Sequence, residues 1–377
     1  MNYRFVAPCL FGLEGPLGNE LRHMDMKDVT VENGRVGFTT DLNGLARANI
    51  KTRFAERVLL EIGRFKAKSF DDLFEGVKRL PLSDYIPKNG QFPVKGFTLN
   101  SELHSVPDCQ KIIKKAAAEN LKSAYKMSWC PDDGEMYQIQ FYIMKDEAVI
   151  CLDTSGTGLH KRGYRKEQVE APLRETLAAA MVDIAGYRGR GDFADPFCGS
   201  GTIAIEAALA AKNRAPGLYR NFSAEKWAFI DESVWEDERQ AAKAREYSGE
   251  YRIFASDIDE SAVQISKENA KRAGVLDIIS FSVADAKEFS LVSDRGTIVT
   301  NPPYGERMLE IKEAEALIAA FGARMKNAEN WSTYLLSPNP EFERIYGAKA
   351  SKTRKLYNGN IKCMLYMYKT DFKRISK

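Results

Sequence analysis

From residue 171 to residue 337, helical segments alternate with short apolar segments, and this alternation limits the fold more than any other feature of the chain. "TIAIEAALAA" and "SAVQISKENAKRAG" have the composition of helices, whereas "YRIFASD" and "GTIVT" are typical of buried strands. Such alternation predicts βαβ units, in which helices cover both faces of a parallel sheet. Near the end of the chain, Asn358-Gly359 separates two strand-like runs and predicts a closing antiparallel hairpin. This part of the chain is therefore predicted to be an α/β domain.

The first 155 residues predict smaller mixed α/β units. In "DVTVENGRVGFTT", Asn33-Gly34 lies between two alternating runs, which is a strong local signal for a β-hairpin. A second unit begins with the helical "SFDDLFEGVKRL" and continues with a strand, a lysine-bearing helix from Pro107 to about Lys126, and two further strands. The small, polar and basic segment 155–166 is interpreted as a boundary between domains. With 377 residues, two or three domains are expected.

Composition argues against several classes of protein. Hydrophobic residues make up 44% and charged residues 28%, which is typical of a globular chain rather than a disordered one. No apolar run approaches the roughly 20 residues that span a bilayer, and the amino terminus has no basic start followed by a long apolar region. The six cysteines form no CxxC pair and there are only three histidines. We therefore expect a cytoplasmic protein with no membrane segment, secretion signal, metal site or disulfide framework. The sequence gives no sign of oligomeric state.

The distribution of charge is more informative than the net charge of +3. Nine Lys or Arg and a single acid lie between residues 349 and 377. Two further basic clusters cover residues 160–166 and 110–126. Any one cluster can be a solvated face, but three of them in a nearly neutral chain favour a polyanionic partner.

Four polar residues end successive predicted strands of the α/β domain. The first three predicted strands end at Asp195, Asp257 and Asp285, and the fourth ends at Asn301. Because ligands of open parallel sheets bind at the carboxyl ends of the strands, we expect these side chains to line a site.

The segment "GSGTIA" fits the pattern G-x-G-x-x-A, which also marks dinucleotide sites. A dinucleotide site would place its acid about 20 residues after the glycines, whereas Asp257 lies 58 residues after Gly199 behind an inserted segment. Asp195, directly before the loop, would repel a pyrophosphate and suits a cationic or amine-bearing ligand better. The pattern alone leaves both kinds of ligand open.

Several motifs in order give the chain a family resemblance. "DPFCGSGT", "DID", "DA" and "NPPYG" resemble the class I S-adenosylmethionine (SAM) methyltransferases that methylate amines. "DTSGTGLHKRGYR" and "APLRETLAAAM" narrow the resemblance to bacterial THUMP-domain RNA methyltransferases, the group that includes the large-subunit rRNA guanine-N2 methyltransferases. The resemblance implies a ferredoxin-like domain over 1–65, a THUMP domain over 66–155 and a Rossmann-like methyltransferase domain over 156–377.

The resemblance also implies how SAM is held. Asp195 and the loop that follows it would line the methionine and ribose end of the cofactor. Asp257 would accept hydrogen bonds from the ribose hydroxyls while Ile258 packs on the adenine, and Asp285 would accept a bond from the adenine amine. The full set of implied cofactor contacts is Asp195, Pro196, Gly199, Ser200, Gly201, Thr202, Asp257, Ile258, Asp285, Ala286 and Asn301.

The "NPPYG" motif is implied to be catalytic through Asn301, Pro302 and Tyr304. The prolines end the strand and hold the backbone of Asn301 and Pro302 extended. An exocyclic amine of a base is a poor nucleophile, because its lone pair is delocalised into the ring. The side-chain carbonyl of Asn301 and the backbone carbonyl of Pro302 would accept its two hydrogens and orient the lone pair, while Tyr304 stacks on the extruded base.

The expected substrate is guanosine in RNA, with rRNA favoured and tRNA as an alternative. The expected RNA contacts beside the boundary segment are His160, Lys161, Arg162 and Arg165. A DNA adenine-N6 methyltransferase would use the same motif, but the chain has no evident helix-turn-helix. A protein-glutamine methyltransferase and a non-catalytic RNA-binding assembly factor are the remaining alternatives.

Overall fold

The structure, a computed structural model, describes residues 1–165, 173–291, 293–305, 308–326, 328 and 330–369, without the side chains at 308 and 309. The chain divides into two compact units. Unit 1 comprises residues 1–9, 17–159 and 220–241, and unit 2 comprises residues 10–16, 160–219 and 242–377. The predicted boundary segment and the basic carboxyl-terminal cluster both extend beyond the described residues, at 166 and at 370–377 respectively.

The described elements alternate along the chain. The strands are β1 (Tyr3–Pro8), β2 (Lys27–Glu32), β3 (Arg35–Thr40), β4 (Leu59–Lys66), β5 (Val94–Leu99), β6 (Ile139–Met144), β7 (Glu147–Asp153), β8 (Asp192–Asp195), β9 (Ile253–Asp257), β10 (Ile279–Val283), β11 (Gly296–Thr300), β12 (Trp331–Ser337), β13 (Lys352–Asn358) and β14 (Ile361–Tyr368). The helices are α1 (Glu14–His23), α2 (Leu42–Lys51), α3 (Phe70–Lys78), α4 (Val106–Tyr125), α5 (Glu175–Ile184), α6 (Thr202–Ala211), α7 (Glu232–Ala244), α8 (Glu260–Arg272), α9 (Met308–Met325) and α10 (Phe342–Tyr346). Within the described ranges, no helix combines the length and hydropathy needed to cross a membrane.

The strands of unit 1 form one continuous sheet in the order β2-β3-β1-β4-β7-β6-β5. The hairpin predicted at Asn33-Gly34 joins β2 to β3, with Gly34 at a φ of +74°. Antiparallel pairing of β4 with β7 connects the strands before residue 66 to those after it. The two domains expected over 1–65 and 66–155 therefore share a sheet, and the boundary between them remains a prediction. Pairing between distant strands leaves no mark in either strand's own sequence.

The segment 220–241 folds with unit 1, although the sequence assigns it to the methyltransferase domain. Its Trp227 is 1% exposed, lies nearly parallel to Tyr137 with ring centroids 5.1 Å apart, and donates from Nε1 to the Met136 carbonyl at 2.9 Å. Further along, Glu238 forms a bidentate ion pair with Arg47, at 2.6 and 3.0 Å. These partners are distant in sequence, which explains why the sequence marked only an insertion here and did not predict α7.

The sheet of unit 2 has the order β10-β9-β8-β11-β12-β14-β13. The pairs from β10 to β12 are parallel, while β14 runs antiparallel to both β12 and β13. Helices cover both faces, because Ala194 of β8 packs in a cluster with Phe321 of α9, and its neighbour Phe193 contacts Tyr187 after α5 on the opposite face. The predicted Rossmann-like sheet with a closing hairpin is confirmed. The strand order reverses between β8 and β11, where ligands of such sheets bind.

Two strands end earlier than the sequence predicted. β10 ends at Val283, because the Asp285 carboxylate accepts from the Lys287 backbone N–H at 2.9 Å and caps a short 3₁₀ turn. β11 ends at Thr300, so that Asn301 already lies in the loop that follows. We call this loop, residues 301–305, the proline loop. β8 and β9 end at Asp195 and Asp257 as predicted.

We expect Trp227→Ala to lower the free energy of unfolding by about 3–5 kcal/mol, because it removes a buried ring that fills the core of unit 1. Urea unfolding followed by circular dichroism measures the change. Trp129→Ala is the matched control, since Trp129 is 65% exposed, and its effect should stay within about 0.5 kcal/mol. Equal effects of the two substitutions would contradict the assignment of residues 220–241 to the core of unit 1.

Candidate active site

The loop between β8 and α6, residues 196–201, is called the glycine loop and has a conformation that favours glycine. Gly199 and Gly201 have φ values of +50° and +79°. A Cβ on Gly201 would lie 3.0 Å from the Cβ of Ser266, which is closer than side chains pack. The Gly199 backbone N–H donates to Oδ2 of Asp257 at 2.9 Å, so the acid that ends β9 fixes the loop that follows β8.

Two buried side chains of α8 hold the same loop from below. Ser266 Oγ donates to the Gly199 carbonyl at 2.6 Å, and Asn269 Nδ2 donates to the Ser200 carbonyl at 3.0 Å. Both residues are fully buried. Their role was not predicted from the sequence, although two polar residues three positions apart on the apolar face of a helix are a readable signal.

Asp195 is the most deeply buried acid of the site. Its Oδ1 accepts from the Thr300 hydroxyl at 2.6 Å and from the Phe197 backbone N–H at 3.4 Å. Its Oδ2 is buried and has no hydrogen-bond partner among the described residues. Burial raises the pKa of Asp195 to about 7, and the Thr300 hydrogen bond opposes that shift. The carboxylate is therefore suited to a positively charged or hydrogen-bond-donating ligand.

The end of β9 presents one acid and one apolar side chain. Besides Gly199, the Asp257 carboxylate accepts from the Asp259 backbone N–H at 3.1 Å through Oδ1. The next residue, Ile258, is 68% exposed, which is unusual for isoleucine. An acid followed by an exposed apolar surface can bind the hydroxyls of a ribose and the flat face of a base.

The remaining predicted cofactor residues lie in or under the same strand ends. Pro196, Ser200, Thr202 and Ala286 are buried, and the hydroxyls of Ser200 and Thr202 lie 3.2 Å apart. Asp285 is half-buried, and its Oδ1 already accepts from the backbone in the turn after β10. Across the described part of the chain, no group of three or more His, Cys, Asp or Glu side chains is arranged to hold a metal ion.

The proline loop after β11 places Asn301 and Tyr304 against each other. The Tyr304 hydroxyl donates to Oδ1 of Asn301. Burial, with a smaller contribution from the Cys363 thiol on β14, raises the pKa of Tyr304, so that the hydroxyl stays protonated. Pro302 is buried, and Asn301 and Tyr304 are half-buried. Thr300 precedes this loop, and its hydroxyl is the donor to Asp195. The proline loop and the glycine loop therefore lie at the same edge of the sheet.

Two of the four predicted RNA contacts are placed differently from expectation. Arg162 is buried, and its Nε lies 3.5 Å from Oε1 of Glu206 on α6. Arg165 is also buried, and its Nη2 donates to Oγ1 of Thr202 at 2.7 Å and lies 3.7 Å from Glu175. Both guanidinium groups therefore support α6 and the glycine loop, and buried acids distant in sequence compensate them. His160 is half-exposed and Lys161 is exposed.

Known protein families match the chain along most of its length. The model described as "RMKL-like, methyltransferase domain" matches residues 162–367, the "RlmL ferredoxin-like domain" matches 4–59 and the "THUMP domain" matches 67–153. The chain is 45% identical to "Putative RNA methyltransferase YpsC" of Bacillus subtilis (strain 168) over 97% of this chain and 96% of that protein. It is 33% identical to the ribosomal RNA large subunit methyltransferase K/L of Psychromonas ingrahamii (strain DSM 17664 / CCUG 51855 / 37), over 98% of this chain and 50% of that protein.

A solved structure resembles this chain along nearly its whole length. SMU.472, described as "a putative methyltransferase complexed with SAH", matches with a TM-score of 0.93 at 36% identity, covering 98% of each chain. The chain spans about half the length of the K/L relative that it matches and nearly all of YpsC and SMU.472. Its sheet, its glycine loop and the matches along its length together show that the chain belongs to the RMKL-like methyltransferase family, with a ferredoxin-like and a THUMP domain before the methyltransferase domain.

Proposed function

We propose that this chain transfers the methyl group of SAM to the exocyclic N2 amine of a guanosine in RNA, and that large-subunit rRNA is the substrate. One observation carries the proposal. The proline loop lies at the end of β11. The residue before it, Thr300, donates a hydrogen bond to Asp195 beside the glycine loop. Support for RNA comes from the THUMP match and from the names of the relatives.

The residues at the strand ends fit SAM. SAM, when bound, supplies a methyl group on a positively charged sulfur. The buried Oδ2 of Asp195, which has no partner among the described residues, suits the cationic methionine part. Asp257 and the exposed Ile258 suit the ribose and the adenine. The SAH complex of SMU.472 supports SAM as the cofactor.

The proline loop would orient the amine. Asn301 offers a side-chain carbonyl, and Pro302 offers a backbone carbonyl that its proline neighbour holds still. Acceptors on both N–H groups direct the nitrogen lone pair toward the methyl group. No strong base is required, because the proton becomes acidic once the nitrogen is alkylated. Positioning of this kind accounts for roughly 7–11 kcal/mol of barrier in favourable cases.

Base entry brings a second donor to an acceptor of the loop that is already in use. Oδ1 of Asn301, the acceptor that the amine requires, already accepts from the Tyr304 hydroxyl. An entering base would displace that hydroxyl and take its place as donor, while the Tyr304 ring becomes a surface for stacking. The Asn301–Tyr304 hydrogen bond thus keeps the carbonyl satisfied until the substrate arrives.

We expect Asn301→Ala to lower methyl transfer at least about 100-fold, and by much more than it weakens SAM binding, because the acceptor that orients the amine is lost. Purified protein is incubated with labelled SAM and rRNA from cells lacking the gene, and nucleosides are identified by mass spectrometry. Asn43→Ala, on the exposed surface of α2, is the control. Methyladenosine in place of N2-methylguanosine would overturn the base assignment. Product from tRNA alone, DNA alone or a protein would overturn the rRNA assignment.

Tyr304 should act through its ring more than through its hydroxyl. Tyr304→Phe keeps the stacking surface, so transfer should stay within about tenfold of wild type. Tyr304→Ala removes a stacking contact worth about 1–3 kcal/mol, so kcat/KM for RNA should fall by about 5- to 150-fold. Steady-state kinetics on the same rRNA separate the two variants. Equal losses in both would show that the hydroxyl is the essential group.

Asp195→Asn should change how stability depends on pH. The folded pKa of Asp195, about 7, lies above its ordinary value of 3.8. A carboxyl group whose pKa is raised in the fold stabilises the fold at pH values below its ordinary pKa. This stability is lost as the pH rises through the folded pKa. Relative to the variant, the unliganded wild type should therefore lose roughly 3–5 kcal/mol between pH ~4 and pH ~7. The variant should also bind SAM at least about tenfold more weakly.

Urea unfolding of both proteins at a series of pH values provides the measurement. Asp259→Asn is a control of opposite sign, because hydrogen bonds from Ser261 lower the pKa of Asp259. That carboxylate stabilises the fold above its ordinary pKa, and its contribution is lost as the pH falls. A wild-type minus Asp195→Asn difference that is constant across this range would contradict the buried-acid interpretation.

A further inference from the structure

The three basic clusters of the sequence differ in what surrounds them. In the cluster on α4, Lys111 lies 3.3 Å from Asp108, and Lys114 lies 3.3 Å from Asp132. In the cluster around residue 160, Arg162 is paired with a buried acid. Part of the charge of these two clusters is therefore compensated within the protein.

The third cluster is different, because the sequence from Arg344 to Lys369 contains no acid. We name its described part, β13 and β14 with Lys349 and Lys369, the basic hairpin. Its lysines are exposed and form no ion pair with any acid in the described part of the chain; they are Lys349, Lys352, Lys355, Lys362 and Lys369. Glu343, the nearest preceding acid, accepts from the Ala350 backbone N–H at 2.8 Å. The basic hairpin therefore carries uncompensated positive charge.

Aromatic side chains accompany this charge. Residues 10–16 belong to unit 2, where Arg354 Nη2 donates to the Gly12 carbonyl at 2.8 Å. This contact places the Phe11 ring 6.0 Å from the ring of Tyr357, edge to face, and Phe11 remains 56% exposed. The Lys355 ammonium lies 5.7 Å from the centroid of the Tyr357 ring. Exposed rings among unpaired lysines are the composition of a surface for single-stranded nucleic acid.

The basic hairpin also adjoins the proline loop. The Cys363 thiol on β14 interacts with the Tyr304 hydroxyl, and Cys363 is opposite Leu356 in the β13–β14 register. The next pair, Tyr357 with Lys362, lies one residue further toward the hairpin turn, a step of roughly 3.4 Å. Successive side chains of a strand face opposite sides of the sheet, so Lys362 and Tyr357 lie on the other face of the hairpin from Cys363. Nucleotides next to a base held at Tyr304 would therefore reach these side chains by passing over the hairpin turn at Gly359 and Asn360.

We propose that the basic hairpin and Phe11 bind the sugar-phosphate chain and a neighbouring base of the RNA, next to the nucleotide that is methylated. The proposal rests on the proposed function, since it takes the substrate to be RNA. Unpaired lysines contact phosphates, and Phe11 provides a face on which an unpaired base stacks. This surface binds the RNA and positions the target nucleotide, and the proline loop orients the amine for methyl transfer.

The test compares two double variants that remove the same charge. Lys355→Gln/Lys362→Gln changes the basic hairpin, and Lys267→Gln/Lys271→Gln changes exposed lysines of α8. Filter binding of the full chain to an unmodified large-subunit rRNA transcript is measured from low to high NaCl. Loss of two phosphate contacts should reduce the slope of log affinity against log salt by about 1.4–1.8 for the hairpin variant, and by much less for the control. The KM of the hairpin variant for RNA should rise about tenfold, with kcat within twofold of wild type and SAM affinity unchanged.

A second pair tests the aromatic contact. Phe11→Ala should weaken RNA binding about tenfold, whereas Tyr219→Ala, at an exposed tyrosine elsewhere in unit 2, should not. Equal behaviour of the hairpin and control variants in both pairs would overturn the proposal. RNA binding that depends on the hairpin, in a protein that yields methyladenosine, would support the surface while overturning the base assignment. A wild-type chain that does not bind RNA at all would overturn both.

Discussion

The hydrogen bond from Thr300 to Asp195 is the contact on which the geometry of the site depends. It joins the last residue of β11 to the last residue of β8, across the point where the strand order reverses. The glycine loop follows one of these strands and the proline loop follows the other. A methyl donor and an amine acceptor can therefore be brought into line by two loops that share a single buried contact.

Much of this site could be predicted from the sequence, because it depends on local chemistry. Proline ends a strand wherever it occurs, and glycine marks the turn after β8, so Asp195, Asp257 and Asn301 could be placed at strand ends without a structure. Ser266 and Asn269 were missed, because their role depends on which loop α8 packs beneath. The acidic partners of Arg162 and Arg165 were not foreseen for a related reason, because a charged residue looks exposed until its buried partner is known. Contact of these two residues with RNA stays a prediction.

Basic residues that are clustered in a sequence do not always produce positive charge at a surface. Lysines and arginines are equally visible in all three basic clusters, but only tertiary structure shows which of them are compensated. Surface ion pairs contribute little to stability, yet they reduce the field that a polyanion would feel. The hairpin of β13 and β14 retains its field because no acid follows Glu343 until residue 371.

The location of residues 220–241 in unit 1 has a consequence for the synthesis of the chain. A ribosome completes residues 1–159 well before it reaches Trp227. Until then the nascent amino-terminal unit lacks the ring that covers Tyr137 and the acid that pairs with Arg47. By the time residue 241 emerges, β8 and α6 have already been made. Unit 1, which would otherwise be complete before unit 2 is made, is therefore finished only after the first strand and the first two helices of the sheet domain in unit 2 have been synthesised.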